Sequence, residues 1–216
     1  MAPLKKRKRE YNEKALSKEV IKTTIAHIRE LERSVHQSKA NLNNIVELLD
    51  LTENNPPQII HAAFHALFRI FSRYITKGDL QKPKQKNSED STTTVTIWLR
   101  DNYLRYLTRL FALLQSEEPG LQVPALNVLM EILKLESQLL TSQSGSHHFA
   151  NNHFYRVLNA LLGTHNFSQP LQTEFVEKYI NVFDDIRYYF LKNAVKIMSE
   201  LSDAPENNNK SKVCII

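Results

Sequence analysis

Residues 95–141 read VTIWLRDNYLRYLTRLFALLQSEEPGLQVPALNVLMEILKLESQLLT. In the first half apolar residues return every three or four positions, at Leu99, Tyr103, Leu107 and Leu110, which is the repeat of a helix buried on one face. The run stops at Pro119-Gly120, and a second apolar period begins at Leu121. Pro124 is placed in the first turn of that second helix, where proline is tolerated. The spacing predicts helices over about 95–116 and 121–141. A turn this short makes the two lie antiparallel.

The same punctuation holds along the chain. There are only four glycines, Gly78, Gly120, Gly145 and Gly163, and each falls between apolar periodic segments. Pro56-Pro57, Pro83, Pro170 and Pro205 also stand at breaks, so the stretches between them are uninterrupted helices. Over 17–51 apolar residues recur every seven positions at Ile21, Ile28, Val35, Leu42 and Leu49, with Leu31 and Ile45 between them. This is one long helix or two in line, and Asn41, Asn43 and Asn44 mark the expected break. Residues 58–76 present a wide apolar face through Ile60, Phe64, Leu67, Phe71, Tyr74 and Ile75. Further helices are expected over about 151–163, 169–182 and 185–202.

Residues 78–94 are rich in Lys, Gln, Ser and Thr without an apolar period and read as a disordered loop. The short strand-prone run Thr92 to Ile97 leads straight into a helical period. No alternating strand pattern and no room for a βαβ unit remain. The chain is therefore all-α: a HEAT-like α-solenoid of antiparallel helix pairs or an irregular helical array. Its expected organisation is a basic disordered tail over 1–16, a helical domain over 17–202 interrupted by the 78–94 loop, and a polar tail over 203–216.

The net charge of +5 invites a nucleic-acid reading, but its location matters. Lys5, Lys6, Arg7, Lys8 and Arg9 stand together with no acid among residues 1–9. Removing these five from 28 basic residues leaves 23 against 23 acidic ones, so residues 10–216 are neutral. Binding by counterion release draws on a basic excess that this body lacks. A dense basic run in an extended tail is instead what an import receptor's acidic groove selects, and it reads as a nuclear import signal.

The single cysteine, Cys214, permits no internal disulfide, which suits the cytosol or nucleus. It stands third from the end, whereas a prenylation box needs it fourth. Apolar stretches are interrupted by polar and charged residues, and no apolar run follows the N-terminal basic residues, so neither a membrane span nor a signal peptide is expected.

Sites of chemistry are scarce. His61 and His65 share a helix face but lack a third metal ligand, so no metal is assigned. His147, His148 and His153 sit among asparagines and read as a polar connection and helix start. Asp184 and Asp185 are adjacent, which on a helix turns them about 100° apart, too far to converge on one atom. A helix N-terminus explains them better. With no phosphate-cradling glycine loop, no nucleophile pair and no cofactor motif, an enzyme is not expected. Trp98 reads as a core anchor or, more sharply, as a partner-binding residue.

Ile97-Trp98-Leu99-Arg100 with Tyr103, the following Leu121-Gln122-Val123 helix, and Phe183-Asp184-Asp185-Ile186-Arg187-Tyr188 carry a resemblance. Together they resemble the N-terminal half of the nucleolar complex protein 4 proteins, members of the CCAAT-binding-factor-like family of ribosome assembly proteins. The likeness is strongest over about 95–140 and 175–195. It implies a HEAT-like nucleolar protein of the small-subunit processome, partnered by nucleolar protein 14. It marks Trp98, Arg100, Tyr103, Asp184, Asp185, Arg187 and Tyr188 as family-motif or partner-binding residues. Family members run longer, with their signature domain beyond residue 216, so the chain is expected to be a fragment or the product of a truncated gene model.

Two functions follow from these readings. The first is a non-enzymatic scaffold, imported by its tail and bound to other assembly factors. The second is direct contact with pre-ribosomal RNA through Arg100, Arg105 and Arg109, read as a small basic stripe. A HEAT-type nuclear transport adaptor shares the fold but needs no import signal of its own.

Overall fold

The computed structural model describes residues 4–81, 91–163 and 167–202, with side chains over 18–81, 93–163 and 167–200. Every regular element among them is helical. The helices are α1 (Leu4–Gln37), α2 (Asn44–Asp50), α3 (Pro57–Lys77), α4 (Ser91–Leu114), α5 (Pro119–Ser144), α6 (Asn151–Leu162), α7 (Gln169–Phe175) and α8 (Asp184–Ser202). The chain divides into two compact units, Met1–Phe71 and Ser72–Ile216.

In the first unit the heptad stripe becomes core from Ile28 onward, with Ile28, Leu31, Val35, Leu42, Ile45 and Leu49 buried and Ile21 half-buried. The expected break occurs between α1 and α2, at a 3₁₀ turn over Lys39–Asn41. Its polar side chains supply the hydrogen bonds that the helix surrenders there. The Ser38 hydroxyl accepts the Ala40 amide at 3.2 Å, the Asn41 side chain donates to the Ser34 carbonyl at 3.0 Å, and Asn44 donates to the Ser34 hydroxyl at 2.6 Å. The turn reverses the chain, and His27 on α1 meets Glu47 on α2 at 2.6 Å. Arg69 of α3 grips both carboxylate oxygens of Glu32, at 2.6 and 2.7 Å.

The second unit shows its topology through cross-helix bonds. Gln122 donates to the Leu114 carbonyl while Tyr103 donates to Glu136, so α4 and α5 run antiparallel. His153 reaches the Leu129 carbonyl while the Ala150 amide reaches Ser137, so α5 and α6 do too. Asn193 donates to Asn151 and Tyr155 to Glu200, so α8 runs parallel to α6. Backbone packing joins α4 to α6, α6 to α8 and α5 to α7. Helices α4, α6 and α8 thus form one layer and α5 and α7 the other. This alternation is that of stacked helix pairs.

Several boundaries differ from the sequence reading. Helix α1 starts at Leu4, so residues 4–16 run as helix where an irregular tail was expected. Helix α4 starts at Ser91, and Leu80 is buried, so both ends of the 78–94 stretch are structured; 82–90 lie outside the described residues. The Thr-rich start of α4 has low helix propensity and was misleading for that reason. Pro124 lies in the second turn of α5, not the first, leaving the exposed Gly120 carbonyl without an amide donor from residue 124. Gly145 ends α5 with φ of 70°, and its amide donates to Thr141, a left-handed cap that suits glycine. The expected helix over 169–182 widens after Phe175 into a π turn, Val176–Ile180.

Candidate functional site: an apolar groove beside a buried polar network

Helix α5 carries both features. On one side it holds a polar network. The buried Tyr103 hydroxyl donates to a Glu136 carboxylate oxygen at 2.7 Å. The other oxygen lies 3.6 Å from Nδ1 of His153, whose Nε2 is 3.0 Å from the Leu129 carbonyl. A neutral imidazole with its proton on Nε2 satisfies the carbonyl. Burial holds His153 below the usual histidine range, against the pull of Glu136. Burial, and then the Glu136 charge, push the Tyr103 hydroxyl upward, so it remains a donor. The network borders a cavity of about 390 Å³ whose wall includes Arg100, Leu107, Leu139 and Arg156.

On its other side α5 forms one wall of a groove of about 540 Å³. Met130 and Leu133 contribute from α5, Phe149 from the α5–α6 connection, Tyr179 from the π turn, and Phe183 and Ile186 from the start of α8. The π turn brings two successive side chains to one acceptor: Lys178 and Tyr179 both donate to Asn127, at 2.8 and 2.6 Å. This ties the turn to α5. Phe149 stacks on Tyr189 at 4.1 Å between ring centres, fixing α8 against the connection. Gln122, also buried, donates to the Leu114 and Ser116 carbonyls at 3.1 and 2.8 Å and accepts from Ser168 at 2.5 Å. It thereby joins α4, α5 and the approach to α7.

The residues singled out by sequence fall in different places. Phe183 and Asp185 border the groove. Asp184 begins α8 and is ion-paired with Arg187, while the Asp185 carboxylate accepts the Ile186 amide at 2.8 Å. Tyr188 is exposed. Tyr103 and Arg100 lie at the cavity, where Arg100 reaches the Leu80 carbonyl at 3.4 Å. Trp98 is half-buried, and its carbonyl accepts from Asn102, whose own side-chain oxygen accepts from Arg105 at 3.3 Å.

Two readings need correction. Arg100 does not share a stripe with Arg105 and Arg109: it lines the cavity, and the helical repeat sets the other two about 140° and 180° around α4 from it. His153 stands at the start of α6, as expected, but is not a polar surface residue: it is buried and links α6 to α5. His61 and His65 stand side by side at 4.4 Å between ring centres. Burial, followed by the charges of His61 and Arg69, brings His65 down to about 4. Among the described residues no three His, Cys, Asp or Glu side chains cluster to hold a metal, and no helix is long and apolar enough to cross a membrane. The side chains of Lys5 to Arg9 lie outside the described ones.

Helix pairs stacked in two layers, with a groove framed by loop and helix-start residues, define a helical-repeat protein of the TPR or HEAT class. The family described as "Nucleolar complex protein 4-like, TPR repeats" matches residues 4–203, and the chain belongs to that family. The sequence reading expected helix pairs of HEAT kind; both repeats are stacks of antiparallel pairs. An uncharacterized protein of Schizosaccharomyces pombe is 32% identical over 187 residues, covering 84% of this chain and 37% of its own. Nucleolar complex protein 4 of Saccharomyces cerevisiae is 28% identical, covering 68% of this chain and 31% of its own. Nucleolar complex protein 4 homolog B of Xenopus laevis is 25% identical, over 78% and 34%. The chain thus spans about a third of the length of these relatives. No solved structure matches it.

Proposed function

We propose that the chain is a non-enzymatic scaffold of ribosome biogenesis, acting in the nucleolus in small-subunit assembly and pre-rRNA processing. The observation that carries this reading is the apolar groove between α5 and the start of α8, framed by Phe183, Asp185 and Ile186, in a family whose named members are nucleolar. A groove floored by Met130, Leu133 and Ile186 is chemistry for anchoring a partner's side chains. In this reading the partners are nucleolar protein 14 and other small-subunit processome proteins. An import receptor takes up Lys5 to Arg9, and the longer family members carry the CCAAT-binding-factor domain beyond the region matched here.

Affinity purification of the tagged chain from nuclear extract, with and without RNase, tests the proposal. The expected result is recovery of processome proteins that survives RNase. Recovery lost with RNase assigns the association to RNA and overturns the protein scaffold. Deleting residues 5–9 is expected to abolish nuclear accumulation while leaving the fold intact; unchanged accumulation removes the import role.

A further inference from the structure

The cavity on the polar-network side of α5 opens to solvent. Ile75, Leu80, Leu104, Leu107, Leu139 and Leu140 make its wall mostly aliphatic, around about 390 Å³. Leu104 and Leu140 remain 39 and 38% exposed. A concave apolar site of this size with a few polar groups at set places is the ordinary form of a binding site. Residues 82–90 leave from Gln81 in the same wall, but they hold no Leu, Ile, Val, Met or aromatic residue with which to fill it.

Two arginines of the wall identify the kind of ligand. Arg100 shares a face of α4 with Leu104 and Leu107 and reaches only the Leu80 carbonyl, at a marginal 3.4 Å. Arg156 of α6 lies over the ring of Phe111, one turn past Leu107, at 4.7 Å. This stacking orients the guanidinium and leaves its N–H fork available. Among the described residues neither arginine has an acidic ion-pair partner. The wall's single acid, Glu136, accepts from Tyr103 and faces His153, so it is turned into the network. Asp79 and Asp101 stand outside the wall, as do Lys77 and Arg105. The cavity thus keeps a cationic excess in an apolar frame. Its aromatic rings, Tyr103 and His153, are buried, so a nucleic-acid base finds no platform to stack on. From Arg100 to Phe111 the rise of α4 is about 16 Å, which an extended chain spans in about five residues.

We propose that this cavity binds an extended segment of another protein in which apolar side chains stand between two acidic ones. The acids meet Arg100 and Arg156, and the apolar side chains enter between Leu104, Leu107 and Leu140. The site lies on the opposite side of α5 from the groove of the scaffold reading, and its test contains no ribosome-assembly component. Either can fail without the other.

The test is fluorescence anisotropy of the full 216-residue chain with labelled peptides of about ten residues, long enough to span the cavity. Two peptides share leucines at alternate positions, flanked in one by Asp and in the other by Asn. The Asp-flanked peptide is expected to bind at least about tenfold more tightly at low salt, with the gap narrowing as salt rises. Replacing its leucines by serine is expected to abolish binding. R100Q/R156Q is expected to remove the preference for Asp over Asn. L104D, at the exposed rim, is expected to weaken binding with an unchanged melting temperature. Equal affinity for the two peptides, no binding of the Asp-flanked one below about 1 mM, or binding indifferent to R100Q/R156Q overturns the proposal. A single-stranded RNA that binds more tightly than the peptide, and is lost in R100Q/R156Q, makes nucleic acid the occupant and overturns it as well. So does dimerisation in sedimentation that L104D abolishes, and so does binding that emerges only when residues 82–90 are replaced by a Gly-Ser linker.

Discussion

Helices α5 and α8 differ in what surrounds them. Around α5 stand α4, α6 and α7, and most of its large side chains are buried in the core: Leu121, Leu126, Leu129, Met130, Ile132 and Leu133. Helix α8 packs against α6 and the π turn on one side and leaves Tyr188, Leu191, Val195 and Met198 on the other. Helix α8 is also the more charged of the two, but the number of neighbours decides what becomes of the apolar side chains that both carry. Apolar surface that stabilises the fold on α5 stays exposed on α8.

The largest expected difference lies in the apolar side chains themselves. Leu129→Ala, at a fully buried position, is expected to cost about 2–5 kcal/mol through lost transfer energy and a cavity. Leu191→Ala should stay within about 0.5 kcal/mol, as surface substitutions do. Urea denaturation of both variants checks this, and equal losses would break the distinction.

Hydrogen bonds sharpen the contrast on a smaller scale. Tyr103→Phe removes a buried donor to the Glu136 carboxylate and is expected to cost about 1–3 kcal/mol. Tyr155→Phe removes a bond to Glu200 at the exposed α6–α8 edge and should cost under about 1 kcal/mol. Thermal melts of the two variants make the comparison.

The pH dependence has the same origin. His153 stays neutral in the fold because burial lowers its proton affinity, whereas the unfolded chain takes up a proton below the ordinary value of 6.5. The unfolded state then binds more protons, so stability falls as pH drops below 6.5. His65, lowered to about 4, adds to the same trend down to that pH. H153Q is expected to lower stability at pH 7.5 and to flatten its decline between pH 6.5 and 5, read by denaturation at each pH. At the small end, Arg187→Ala breaks an exposed α8 ion pair and should change stability by less than about 0.5 kcal/mol.

The sequence made the helices legible because their breakers are sparse and their apolar periods clean. The Ser38–Asn43 break, the turn at Pro119 and the start of α8 at Asp184 all follow from local rules of capping and chain reversal. What periodicity does not carry is register between helices. Gln122 and Asn127 look like interruptions of an apolar run, yet they bind Ser168 and Tyr179, about 50 residues away, which only the packed unit reveals. His153 looked like a polar residue at a helix start because its partners, Leu129 and Glu136, stand on another helix. The packed face of α8 was hidden for a related reason. Ile186, Leu191, Val195 and Ile197 ring the helix, and the sequence does not say which of them faces inward. The π turn left no local signal.

The central claim is that the groove beside α5 anchors another assembly protein. Its most direct test is the Phe183→Asp variant, at an exposed groove position, beside the unaltered chain, measured for melting temperature and for RNase-resistant recovery of small-subunit processome proteins. The account predicts an unchanged melting temperature and lost recovery. Full recovery at an unchanged melting temperature would contradict it.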